Sequence, residues 1–564
     1  MFLSKIKLLK SIKLVFFVII FLYTSQVKSL DKFNNASNIS DYFTGVLSLY
    51  ENEYDESFKF LRKLNGLESS HPDYSVKYIY SLVNSGNLRE AYNYSKKLEK
   101  KNLATFESYL VIGVYYLKIS KLDFAKEYFL KAKKTKRSVL NNYVSESLYN
   151  WANLPTKNLS DATSETKKLD ERFENFKNIQ NVLLNCYFNS PNTKNLYVKL
   201  TSNKKTDFSR YNYFHAIYEK NLGNISEAIN IVKSSLKSYP RNLILNQLKL
   251  DLIDNKNISS FSCKSESHVS AEILYITANA LSSQSIFPIS NFYLNLAKFL
   301  NENFHSYDTL LAENYYNTGN SKKANKIYLS LSKKGEAFKW HASKQLAKIY
   351  IQDDDKERAI KTLEKAYNSL DQKEIYEIFD YAEFLKNNEQ FKDSIFFYTK
   401  VIDGVEKKDP LYAESKDGRG VAYERIGEWE KAEKDLLSSL EANPDQAYVI
   451  NYLAYTWIEK GLKIEKSLNM LEKANKLRSN DPYITDSLGW ALYKLKRYKE
   501  AKDFLQLAVR LLPGDPIVND HYGDALWKNG KEIQARYYWN FVLNLEKTEP
   551  DLKKTIEKKL LKGL

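Results

Sequence analysis

Two cysteines, two methionines, six histidines, 11 prolines and 17 glycines are all that the 564 residues hold of those types. So little Gly and Pro leaves no punctuation for many short strands, which tilts the chain towards helices. The histidines (His71, His215, His268, His305, His341 and His521) are scattered, none within five residues of another. That spacing excludes i,i+4 metal pairs on a helix and any Cys/His zinc cluster. The phosphate-cradling GxxxxGK[ST] and the GxGxxG, HExxH and GxSxG signatures are absent as well. The acidic run Asp353-Asp354-Asp355 falls on an inter-helix turn beside Lys356 and Arg358, and no calcium-ligand spacing follows it. The chain is read as a non-enzyme without metal or cofactor.

Disorder is excluded for most of the chain, since 43 Tyr and 29 Phe supply ample apolar surface to bury. One ordinary core is excluded too, because cores stop growing at about 250–300 residues. The formal charge of +16 is carried by Lys far more than by Arg. Nucleic-acid readout favours the planar Arg fork, and the densest basic run, Lys131–Arg137, is short, so a solvated Lys-rich surface is the better reading. No nucleic-acid partner is expected.

Residues 1–29 have the layout of an export signal. Lys5, Lys7, Lys10 and Lys13 precede the apolar run Leu14–Tyr23, and Val27-Lys28-Ser29 offers small residues at a cleavage point. Ten apolar residues are too few to cross a bilayer, which takes about 20. The expectation is a periplasmic protein, with an inner-membrane anchor over residues 12–27 as the alternative. Cys186 and Cys263 lie 77 apart in the least regular stretches, and unpaired burial is the preferred reading over a disulfide.

A fixed period decides the fold. Gly420, Ala454, Gly489 and Gly523 fill one slot, and Ala432, Ser467, Ala501 and Ala535 fill a second, at spacings of 34 or 35. Ser57, Ala91 and Ala125, then Ser290, Ala324, Ala359 and Ser394, extend the register, and Ala216 and Ala228 mark an isolated copy. Small residues let two helices of about 12–14 residues approach, large ones such as Leu488, Leu492 and Leu505 fill in at helical spacing, and Pro513 ends the second helix. A single such unit cannot bury its apolar face, so neighbours must stack. The inter-helix turns recur as Ser85-Gly86-Asn87, Leu222-Gly223-Asn224, Thr318-Gly319-Asn320, Ile426-Gly427-Glu428 and Asn529-Gly530-Lys531.

The pattern Thr485-x-x-Leu488-Gly489-x-x-Leu492, with Ala501, Leu505, Ala508 and Pro513, resembles the tetratricopeptide repeat. The stretches Asn451–Tyr455, Asp486–Tyr493 and Asn519–Trp527 further resemble exported tetratricopeptide-repeat proteins of alphaproteobacteria. The expected fold is all-α: an α-solenoid, a right-handed superhelix of about 12–15 helix-turn-helix repeats. Its expected layout is a leader over 1–29, an N-terminal array over 30–139 and divergent helical repeats over 140–254. A polar loop or hinge over 255–270, a C-terminal array over 271–547 and a capping helix over 548–564 follow. The family resemblance implies a non-catalytic scaffold or adaptor of the cell envelope that binds protein.

One set of residues stands out as a ligand groove. Three before the Gly/Ala slot come Asp417, Asn451, Asp486 and Asp520; one after it come Tyr455, Trp490 and Asp524. Tyr493 and Trp527 lie three further on, and residues four apart on a helix share a side. The first helix of each repeat lines the concave side of such a solenoid. Counting Asp417, Asp486, Asp520 and Asp524 against Lys528 and Arg425 leaves that strip negative, which suits a protein or peptide segment of basic character. Two competitors stand beside this reading. The carboxylates can instead be struts between repeats, and the aromatic rings can instead hold sugars for a glycan- or peptidoglycan-linked enzyme accessory.

Overall fold

The computed structural model describes residues 35–135, 138–202 and 207–564. The leader, in both its cleaved and its anchored reading, lies outside the described residues. Among the described residues there are thirty α-helices and no strand, so the chain is an all-α solenoid. None of these helices is long and apolar enough to cross a membrane.

The helices run as antiparallel pairs, and the small-residue slot explains how closely each pair packs. A Cβ on Gly489 would fall 2.7 Å from Leu505 Cγ, one on Gly523 2.6 Å from Trp539 Nε1, and one on Gly113 2.5 Å from Phe129 Cε1. Each of these contacts joins the first helix of a repeat (A) to its second (B), sixteen residues on. Between A and B the chain turns through a left-handed residue, at φ +84° for Gly427 and +74° for Gly530, which costs glycine nothing. Aspartates open several A helices. Asp481 accepts from the N–H groups of Tyr483 and Ile484, and Asp515 from those of Ile517 and Val518, each just ahead of a proline that needs no partner.

The chain divides into two compact units, the first reaching Thr362 and the second spanning Leu363–Leu564. Residues 140–202, where the period fades, still fold as pairs, but with nine-residue second helices, Leu159–Lys167 and Thr193–Thr201. Residues 255–270 lie inside the first unit and begin as a loop after Leu243–Ile253. Here the structure corrects the unpaired reading of the cysteines. Cys263 in that loop is disulfide-bonded to Cys186 at the end of Glu174–Tyr187, with Cα atoms 6.0 Å apart. Seventy-seven residues of sequence separation hid an adjacency that only the packing of the repeats creates.

The first unit also folds back on itself. The pair Glu266–Ser282 and Phe287–Leu300 packs against the A helices Pro72–Asn84, Phe106–Lys118 and Val139–Ala152. Asn84 donates to the Pro288 carbonyl at 3.1 Å, the rings of Tyr80 and Phe292 meet edge-on at 4.9 Å, and Lys118 pairs with Glu302 at 2.9 Å. Tyr80, Asn84 and Lys118 stand at the repeat positions that elsewhere line the A-helix face. In this array that face is occupied by the chain's own helices.

Candidate functional site

In the second unit the A helices are Ile375–Asn387, Pro410–Arg425, Ala447–Glu459, Pro482–Lys494 and Pro516–Lys528, with Pro550–Lys562 closing the end. Each packs on its neighbours in the solenoid. Every residue of the expected groove sits on this row of helices, in two different settings.

Towards the 410–459 end the face is polar and partly open. Asp417 is half-buried, and no hydrogen bond or ion pair reaches its carboxylate among the described residues. Burial pushes its pKa up to about 6; Lys386 pulls the other way, and Glu383 and Glu414 add to the rise. One repeat on, Asn451 Oδ1 is buried without a hydrogen-bond partner among the described residues. Tyr455 is half-buried beside it, and burial raises its hydroxyl pKa, with Glu459 and Asp486 adding to the rise. Tyr448 and Tyr483, at the leading edge of successive A helices, are 51% and 54% exposed.

Towards the C-terminal end the expected carboxylates are enclosed and partnered. Asp486, 5% exposed, has its Oδ2 2.9 Å from His521 Nδ1, a contact from one repeat to the next. Asp520 Oδ1 accepts from Lys559 Nζ at 2.6 Å, and Asp524 accepts from the same ammonium at 2.7 and 2.8 Å and from Trp539 Nε1 at 3.0 Å. Lys559 belongs to the closing helix, so the chain places one of its own amines on this carboxylate pair. Burial pushes the Asp524 carboxyl up, Asp520 beside it adds to the rise, and Lys559 opposes it. Burial pulls the His521 imidazole down, but Asp486, with Asp520 and Asp524 behind it, outweighs burial and raises its pKa.

The aromatic residues form a stack. Trp490 lies on His521 at 3.9 Å and 10° and on Tyr493 at 4.7 Å and 5°, with Lys494 Nζ 4.8 Å from its ring. Its Nε1 donates to Glu459 at 2.6 Å, and the residue is only 8% exposed. A ring so enclosed has little face left for a sugar. Trp527 is covered in the same way, by Trp539 at 5.4 Å, by Arg536 at 5.2 Å and by the chain at Gly563.

Sequence reasoning missed His521 and Lys559, the two basic residues that meet the carboxylates of this end. A signal existed for each. His521 follows Asp486 by 35 residues, one period, and Lys559 lies on the amphipathic segment that continues the register past Leu543.

The tetratricopeptide-repeat family model matches residues 301–548. A TPR repeat-containing protein of Pseudomonas aeruginosa is 29% identical over 124 residues, which is 22% of this chain and 20% of the relative. The chain thus matches about a fifth of the length of that curated relative. Among solved structures, MamA of Desulfovibrio magneticus is 16% identical, with 31% of this chain and 97% of that chain covered at a TM-score of 0.28. YrrB, described as a TPR protein with an unusual peptide-binding site, is 15% identical over 33% of this chain and 92% of its own, at a TM-score of 0.27. The Cut9–Hcn1 complex is 15% identical over 80% of this chain and 96% of that chain, at a TM-score of 0.37.

Proposed function

From a chain that carries tetratricopeptide repeats, we propose an exported protein-interaction scaffold of the cell envelope that holds a basic segment of a partner protein on the A-helix face of its second unit. The repeats themselves imply protein–protein interaction. The observation that carries the finer reading is the contrast between the two arrays. The first array's A-helix face is filled by Phe287–Leu300 and its partner helix, whereas the second presents Tyr448, Tyr483 and Asp417.

The basic preference belongs to the 410–459 end. There Asp417 is an unpartnered, half-buried carboxylate, and one repeat on the Asn451 carbonyl is orphaned, which favours an incoming ammonium or guanidinium. At the other end Lys559 and His521 offset the acids. Export is supported by the sequence of residues 1–29 and by the Cys186–Cys263 bond, since disulfides persist in oxidising compartments.

A photo-crosslinking residue at Tyr483 tests the face in cells. Capture of a defined protein segment is expected, and it should fall at least tenfold with Asp417→Lys while helical content stays unchanged. Capture that is indifferent to Asp417→Lys removes the basic preference. A fusion of residues 1–60 to a reporter active only outside the cytoplasm should give signal; silence refutes export.

A further inference from the structure

The first unit contains a cavity of about 240 Å³ that the interaction reading does not use. Its floor is apolar: Tyr213, Ile244, Leu248, Phe304 and Phe338 line it, and all five are buried. One wall is helix Leu243–Ile253, another is the loop that ends at the disulfide-bonded Cys263, and a third is the start of helix Glu336–Gln352. The disulfide fixes the loop that contributes Lys256, Ser259 and Ser260.

The polar groups around this floor carry opposite charges on different walls. Gln247 accepts from the Ala337 N–H at 3.1 Å and donates to Asp251 Oδ1 at 2.9 Å, so it ties two walls together and orients the carboxylate. Lys256 approaches the same Oδ1 at 3.6 Å, and Asp251 Oδ2 has no partner among the described residues. On another wall Lys334, an exposed residue, has no ion pair among the described residues, and it stands just ahead of a 17-residue helix whose positive dipole end adds to its field. His305 also lines the cavity; its Nδ1 is buried without a hydrogen bond, 3.7 Å from Asp308 Oδ2.

We propose that this cavity binds a free α-amino acid with an apolar side chain, its ammonium held by Asp251, its carboxylate by Lys334 and its side chain by Phe338, Ile244 and Leu248. A carboxylate oxygen without a partner, an ammonium without an ion pair and an apolar floor in one cavity are the three features such a zwitterion needs. Size agrees. Pockets for drug-sized ligands run to about 300–1,000 Å³, so this smaller one takes a single residue rather than a peptide. An uncharged apolar molecule would engage neither Asp251 nor Lys334, and a plain anion would meet Asp251.

The test is calorimetric titration of the full chain, disulfide intact, with leucine, phenylalanine, N-acetyl-leucine and leucinamide. Saturable binding of leucine or phenylalanine is expected, at least tenfold weaker for both blocked derivatives. Asp251→Asn and Lys334→Ala should each cost a similar factor, with the melting temperature of the unliganded protein unchanged within about 2 °C. Absence of saturable binding up to about 10 mM overturns the proposal. So does binding that ignores either blocking group, or binding that both variants retain. Should one variant misfold, as far-ultraviolet dichroism would show, the other variant together with the two derivatives decides.

Discussion

Lys559→Ala isolates an enclosed ion cluster of the second unit. The ammonium contacts Asp520 once and Asp524 twice, and the side chains of Lys559, Asp520 and Asp524 are 12%, 10% and 6% exposed. Removing one partner of a buried pair strands a charge, which costs about 3–5 kcal/mol. Here two carboxylates would be stranded together. At the lower figure of about 3 kcal/mol, and about 2–4 °C per kcal/mol for a unit of this size, the second unit should melt about 6–12 °C lower at pH 7.5. The cost should depend on pH with a definite sign. Asp524, already pushed up by burial, loses the cation that opposes the rise, so the folded variant binds a proton more readily than the unfolded chain. Its deficit therefore shrinks as pH falls towards 5 and grows above that. Replacing the whole cluster at once, by Lys559→Met with Asp520→Asn and Asp524→Asn, leaves no charge at these three positions and should be close to neutral. Differential scanning calorimetry at pH 5 and 7.5 measures all of this. A loss below about 1 °C at pH 7.5, or one equally large at both pH values, would refute the assignment of Lys559 as the counter-ion that holds this end together.

Three further outcomes follow from the packing. Gly523→Ala should destabilise the second unit by about 1–3 kcal/mol in chemical denaturation, because the new Cβ meets fully buried Trp539 at 2.6 Å; Gly530→Ala, with open space but φ +74°, should lose only about 1–2 kcal/mol from backbone strain. His521→Gln should be costliest at acid pH: a raised imidazole pKa gives stability that is fully present below the unfolded value of about 6.5 and is lost as pH rises through the folded one, so the gap between wild type and variant must narrow by pH 9. Reducing Cys186–Cys263, which spans 77 residues, should lower first-unit stability by about 4 kcal/mol on the chain-entropy estimate, read as a shift in the urea midpoint with and without dithiothreitol.

The groove shows where period-based reading succeeds and where it stops. Placing Asp417, Asn451, Asp486 and Asp520 on one row of A helices needs only the 34-residue spacing, and all four do stand on those helices. Their electrostatic setting needs more. Asp486 meets His521 from the following repeat, whereas Asp520 and Asp524 meet Lys559 from the closing helix, more than 30 residues away. A charge count over the named groove residues therefore gave a negative strip along its whole length. The structure leaves the unpartnered carboxylate at Asp417, where the next repeat supplies Asn451 and Tyr455 rather than a cation.

The sequence alone determined the helical class, the repeat unit and the small-residue contact within each pair, because these depend on residues within one period. Gly489 against Leu505 and the turn at Gly427 are local facts. The tertiary structure alone decided what happens between distant repeats. Asn84 bonded to Pro288, Tyr54 to Asn291 and Cys186 to Cys263 join residues 204, 237 and 77 apart. None of these contacts leaves a periodic trace, since a repeat pattern records only what each unit needs from its immediate neighbours. That is why the period carries no sign that Phe287–Leu300 lies on the A-helix face of the first array.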